Sequence, residues 1–191
     1  MDVKMGARTF TEEDAEITDL RADLLQKMQK IDRSAPTAEE LAAGGVTKSR
    51  YLYFRDSTTT TTEMGFRVDG CQLADGLDAQ VPDTSELRTI TELDEVLSAV
   101  SSYVQRRKAL ADSFIKQLVE LRGLLEVCDV FMERSFIRTS LLFVYSSATN
   151  ETQLAMIDFP KVTKRKTRLT HRDAWTPVRV LLLQRGWPSV V

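Results

Sequence analysis

The sequence predicts an α+β fold, a mostly antiparallel sheet with helices packed against it. Three observations carry that expectation. Short strand-like runs stand at residues 1–5, 64–69, 136–145 and 154–157, and the last two flank the Ser146–Asn150 loop as a hairpin does. Longer stretches at 11–31, 92–104 and 106–126 repeat apolar residues at three- and four-residue steps, the amphipathic helix pattern. The chain has 191 residues, 42% hydrophobic and 28% charged, which suits one good core or one and a half domains of an ordinary globular protein.

Composition also excludes functions. The net charge is −2, so bulk charge gives no case for nucleic acid. The one basic run (Lys161, Lys164, Arg165, Lys166, Arg168, Arg172) has no interleaved aromatic residues on which bases would stack. Two cysteines, Cys71 and Cys128, and the single His171 do not make a zinc site or a disulfide framework. A reducing compartment is the expectation, the cytoplasm first and the nucleus as the alternative. No apolar run approaches the ~20 residues of a membrane span, and the N-terminus lacks the pattern of a signal peptide.

In chain order, residues 1–5 read as a strand with Val3 and Met5 on one face and Asp2 and Lys4 on the other. A D-x-K on a strand has two readings: a surface ion pair, or a carboxylate and an ammonium set for phosphoryl transfer. Residues 11–31 read as one helix, capped by Thr11 and striped by Ile17, Leu20, Leu24, Met28 and Ile31. Arg21 falls inside that stripe, either as a packed stem with its head in solvent or as a guanidinium aimed at a phosphate. A turn at Ala35-Pro36-Thr37 and a short second helix closed by Gly44-Gly45 follow. Tyr51 to Phe54 reads as a short strand or extended segment, with Lys48, Tyr51 and Arg55 close along it as a basic surface segment. The run Thr58–Thr62 reads as an exposed, strand-like connector.

Met64 to Asp69 is a strand closed by Gly70, and 71–90, with Gly76 and Pro82, is loop-like. Thr91 to Asp94 resembles a capping box ahead of two helices, 92–104 and 106–126. The second carries the core stripe Leu110, Phe114, Leu118, Leu121 and Leu125. Cys128 reads as a small buried hydrophobe. In the closing hairpin the second strand is apolar up to Asp158. A carboxylate at a strand end is either a cap or, in a phosphotransferase, the place where magnesium is held against nucleotide phosphates.

Several blocks occur together and in order: Asp2-x-Lys4-x-Gly6, Asp32 to Thr37, Val46 to Tyr51 with Arg55, Met64 to Gly70, Thr139 to Val144, and Met156-Ile157-Asp158-Phe159. Taken together they resemble the inositol polyphosphate kinases, and among them the inositol 1,4,5-trisphosphate 3-kinase branch, over roughly residues 1–162. The resemblance implies the C-lobe of such a kinase, with a helical insert at about 10–45 forming the substrate wall and a divergent basic tail at 163–191. It implies transfer of the ATP γ-phosphate to the 3-hydroxyl of inositol 1,4,5-trisphosphate with Mg2+. In that reading Lys4 stabilises the moving phosphoryl group and Asp2 orients the hydroxyl. Arg21, Lys48 and Arg55 hold substrate phosphates, with Leu24 and Met28 as apolar floor and Tyr51 beside the inositol ring. Asp158 holds the metal and nucleotide, with Ser140 near it.

The sequence also departs from the family pattern. Cys71-Gln72 stands where the family has a lysine, Pro160 replaces a small residue, and no G-N-x-E-D-G-Y block follows Trp175. The family's nucleotide-covering N-lobe and its calmodulin-binding region would precede Met1. The expectation is therefore a chain shortened at both ends whose own transfer activity is weak. The alternatives are a catalytically inactive inositol phosphate-binding module and a truncated product of little stability.

Overall fold

The computed structural model describes residues 1–73, 81–87 and 89–165. In chain order its elements are β1 (Asp2–Met5), α1 (Glu12–Glu16), α2 (Ala22–Ile31), α3 (Ala38–Ala43), α4 (Lys48–Ser57), α5 (Thr61–Met64), β2 (Phe66–Gly70), α6 (Thr84–Leu87), α7 (Leu93–Tyr103), α8 (Lys108–Glu126), α9 (Asp129–Glu133), β3 (Arg134–Ile137), β4 (Ser140–Tyr145), β5 (Thr152–Ile157) and β6 (Lys161–Lys164). The principal sheet has four strands in the order β2-β1-β4-β5, every neighbouring pair antiparallel, and β3 pairs with β6 in a second, two-stranded sheet. Helices over a mostly antiparallel sheet make the α+β class that the patterning predicts. No helix among the described residues is long and apolar enough to cross a membrane.

The period-two alternation of β1 sets the core. Met1 and Val3 are buried, with Met5 packed against them, beside Phe66 and Val68 of β2 and Leu141 and Phe143 of β4. Against that face lie Val96, Ala99, Val100 and Tyr103 of α7 and Leu110, Phe114 and Leu118 of α8, the stripe read from sequence. Aromatic edges lock the layer: the Phe114 and Phe143 rings meet edge-on at 5.3 Å, and the Tyr103 hydroxyl donates to the Phe143 carbonyl at 2.6 Å. A second, smaller cluster (Leu24, Leu25, Met28, Val46, Phe54) holds α2 to α4.

Six local expectations are corrected by the structure, most of them where a distant partner intervenes. The helix expected over 11–31 is two helices with extended backbone between them, because Arg21 pairs with Val46 through two backbone hydrogen bonds, at 2.9 and 3.3 Å. That pairing is close enough to demand glycine next door: a Cβ on Gly45 would sit 3.0 Å from the Arg21 nitrogen. Ile17 and Leu20, expected in the stripe, are 44% and 54% exposed as a result. Tyr51 to Phe54 is helical, within α4, whose first turn is capped when the Arg50 N–H donates to Thr47 Oγ1 at 3.2 Å. The threonine run is not a strand, and only its end at Thr62 is exposed: Thr59, Thr60 and Thr61 are buried. Their hydroxyls serve the backbone, Thr59 donating to the Arg55 carbonyl at 3.0 Å and Thr60 to that of Phe66 at 2.6 Å. The strand expected over 136–145 breaks at Arg138, which takes φ +68°, so that β3 leaves for β6 while β4 enters the main sheet. Cys128 is half-buried at the start of α9 rather than enclosed. The capping box ahead of α7 lies one residue later than expected, between Glu92 and Glu95.

A buried charge network fastens the helical region to the sheet. Asp56 of α4 accepts the Thr9 N–H at 2.7 Å, the Thr9 hydroxyl at 2.8 Å and Arg67 Nη1 of β2 at 3.1 Å. Removing Asp56 leaves the Thr9 N–H and hydroxyl buried without this acceptor and Arg67 paired with Asp69 alone, at a cost of about 1–3 kcal/mol. Asp56→Ala is therefore expected to lower the unfolding free energy by that amount, read as a lower denaturant midpoint at constant m-value; a midpoint unmoved by the substitution would remove this network from the supports of the fold.

Candidate active site

Two charged clusters stand out, one at the end of the main sheet and one between the helical region and the two-stranded sheet. The first is built from strand register. Lys4 of β1 lies opposite Ser140 of β4, and Ser140 lies opposite Ile157 of β5, so the next residue, Asp158, leaves the sheet beside Lys4. Asp158 turns out of the strand at φ +58°. Lys4 Nζ donates to Asp158 Oδ2 and to the Arg138 carbonyl, both at 3.3 Å. Lys4 is largely buried and Asp158 is exposed, and with Arg138, Phe159 and Pro160 they line an open depression. Of the two readings of the D-x-K, the ion pair is not within it, since the carboxylate partner of Lys4 is Asp158. Asp2 Oδ1 and Ser140 Oγ are buried atoms that accept or donate no hydrogen bond, and buried polar atoms of that kind call for a partner.

The second cluster centres on Asp14, a carboxylate only 1% exposed at the start of the helical region. Its Oδ1 accepts from Lys48 Nζ of α4 at 3.1 Å and from Lys161 Nζ of β6 at 2.8 Å, and its Oδ2 accepts the Thr11 N–H at 3.1 Å. Burial alone pushes this carboxyl up. The hydrogen bonds from Lys161, Thr11 and Lys48, with the Lys48 charge, outweigh burial and hold it well below the usual carboxylate range. Lys161 follows Asp158 by three residues, at most about 11 Å of chain, so the two clusters are neighbours along the backbone as well. Sequence reading placed Lys161 only in a basic run; its position just after the strand-end carboxylate was the available signal.

The remaining candidates are dispersed around these clusters. Arg21 is exposed and forks onto Asp23, Nε to Oδ1 at 2.7 Å and Nη2 to Oδ2 at 2.9 Å. Leu24 and Met28 are buried in the small helical core, and Tyr51 packs against it. Lys48, Tyr51 and Arg55 share one face of α4 by their three- and four-residue spacing, and Arg55 is buried. Gln72, in the place of the family lysine, is exposed just after β2. Residues 166–191, including Trp175 and most of the basic tail, and residues 74–80 of the long loop lie outside the described residues. Among the described residues no group of three or more His, Cys, Asp or Glu side chains assembles.

The model of the family described as inositol polyphosphate kinase matches residues 1–179. The chain belongs to that family. It is 34% identical over 181 residues to human inositol-trisphosphate 3-kinase A, covering 92% of this chain and 38% of that protein. It is 33% identical over 180 residues to the Caenorhabditis elegans inositol-trisphosphate 3-kinase homolog, covering 93% of this chain and 35% of that one. The chain thus spans under two fifths of the length of these curated relatives. Among solved structures, an inositol phosphate multikinase aligns with a TM-score of 0.62 at 20% identity, over 95% of this chain and 75% of that one. The S. cerevisiae multikinase in complex with ADP and Mn2+ aligns with a TM-score of 0.55 at 17% identity, over 95% and 74%. At such identities the two structures show a shared fold.

Asp14 gives this inositol polyphosphate kinase domain a signature in acid. A carboxyl held lower in the folded than in the unfolded chain adds stability above its unfolded pKa of about 3.9, and that stability is lost as the pH falls below it. Denaturant midpoints are expected to drop as the pH falls from about 5 towards about 2, and Asp14→Asn to flatten part of the drop. A variant with the wild-type profile would show that Asp14 has no share in acid lability.

Proposed function

We propose that this protein is an ATP-dependent inositol phosphate kinase that phosphorylates the 3-hydroxyl of inositol 1,4,5-trisphosphate. The observation that carries the reading is the Lys4–Asp158 pair at the edge of an open depression, in a chain about one third identical to inositol-trisphosphate 3-kinases. Phosphoryl transfer asks little covalent chemistry of a protein; it needs positioning and fixed charge. Lys4 supplies a cation for the moving phosphoryl group. Asp2, with an unpartnered Oδ1, orients the attacking hydroxyl.

Asp158, with Ser140 in support, is the residue for a divalent cation, taken here as Mg2+. A single exposed carboxylate suits that ion, because Mg2+ takes its other ligands from phosphates and water. The Mn2+ and ADP in the S. cerevisiae multikinase are of the same chemical class. Bound there, the cation would neutralise charge on the nucleotide phosphates. Lys48 and Arg55 of α4 and Arg21 at the start of α2 are assigned to substrate phosphates, with Leu24, Met28 and Tyr51 as the apolar wall behind them.

The test is transfer of labelled γ-phosphate from ATP to inositol 1,4,5-trisphosphate. Asp158→Asn is expected to abolish transfer while leaving trisphosphate binding nearly unchanged. Arg55→Ala is expected to raise the trisphosphate Kd about tenfold, near 1.4 kcal/mol, in keeping with a charge-assisted contact. Undiminished transfer by Asp158→Asn would remove that residue from the metal role. No transfer by the wild-type protein under any nucleotide would overturn the kinase reading itself.

A further inference from the structure

We infer that Asp14 is a positioning residue of this site, holding the Lys48 and Lys161 ammonium groups side by side as a preassembled clamp for one phosphate of the substrate. The inference rests on the inositol phosphate reading above. Both ammonium groups donate to the same oxygen, Oδ1, at 3.1 and 2.8 Å, so their nitrogens stand within two hydrogen-bond lengths of each other. Left alone they would repel. They come from α4 and β6, far apart in the chain, so no local geometry holds them together.

Asp14 itself is fixed. It is the third residue of a capping box, its N–H donating to Thr11 Oγ1 at 3.0 Å while its Oδ2 accepts the Thr11 N–H at 3.1 Å. Oδ2 is thereby spent on the helix start and Oδ1 is left to face the lysines. Each ammonium has three donors; Asp14 uses one from each, and Lys161 spends a second on Thr11 Oγ1 at 3.5 Å. Both lysines keep partial exposure, 37% and 27% of the side chain, so donors remain for an incoming anion. Lysine stems lose considerable rotamer freedom when they are fixed, and a carboxylate that has already fixed them removes that loss from the binding step.

The sign of one substitution separates this role from a simpler one. Asp14→Asn makes the site more positive by one charge, which by itself tightens the binding of any polyanion. A positioning role predicts the opposite. Titration calorimetry at fixed salt, with inositol 1,4,5-trisphosphate as the probe, is expected to give a Kd about fivefold or more weaker for Asp14→Asn. Asp14→Glu keeps the charge at a capping-box position that favours glutamate, and is expected to bind within about twofold of wild type. In a Lys48→Met, Lys161→Met background, Asp14→Asn is expected to change the Kd by less than about twofold, because it acts through those lysines. The Kd for magnesium-ATP is expected to stay constant throughout.

Tighter or unchanged binding by Asp14→Asn, an Asp14→Glu protein as weak as Asp14→Asn, or an equal loss in the lysine-free background would each overturn the inference. Failure of the underlying reading looks different: the wild-type protein would then show no heat with the trisphosphate, and both would fall. Circular dichroism melts set a working temperature at which every variant is folded, and Asp14→Glu carries the test if Asp14→Asn has none.

Discussion

A strand only four residues long, β1, must face two ways at once, and the rest of the molecule follows from that. It is hydrogen-bonded on both edges, to β2 and β4, so its backbone is fully committed. Val3 is enclosed with α7 and α8 behind it. The same pleat then leaves Lys4 on the opposite face, next to the end of β5. Because side chains alternate strictly, the core cannot hold Val3 without presenting Lys4. The anchoring of the hydrophobic core and the placing of the candidate catalytic cation are one constraint.

The two buried carboxylates divide the electrostatic work. Asp56 takes its donors from Thr9 and Arg67, on the loop after β1 and on β2, and joins the helical region to the sheet. Asp14 takes its donors from Lys48 and Lys161, whose ammonium groups remain partly open to solvent. Both carboxylates are satisfied, as burial demands. They differ in what their partners have left: the guanidinium of Arg67 is also committed to Asp69 and Thr61, while the two ammonium groups still have donors to offer.

Local pattern was enough wherever a segment's own surface decided its structure. The α8 stripe through Leu110, Phe114 and Leu118 is buried as spacing implied, α3 ends at Gly44 in the left-handed conformation, and β2 and β5 lie within a residue or two of their expected bounds. Pattern was insufficient wherever a distant partner intervened. The 11–31 stripe is helical by spacing, yet Val46 pairs with Arg21 and breaks it, since two satisfied backbone groups outweigh a few helical contacts. A β-branched threonine run suggests an exposed strand, yet buried carbonyls nearby take its hydroxyls and keep it turned inward.

The same division holds for the site. By itself the sequence determined the α+β class, the family resemblance and the residue types of the proposed chemistry: Lys4, Asp158, Lys48 and Arg55 stand in short ordered blocks, and residue identity is a local property. Only the tertiary structure decided who meets whom. It paired Lys4 with Asp158 rather than Asp2, and brought Lys161 across to Lys48 on the buried oxygen of Asp14. Those contacts depend on strand register and on a left-handed turn at Asp158. Both are set by the packing of segments far apart in the chain, which no short stretch of sequence encodes.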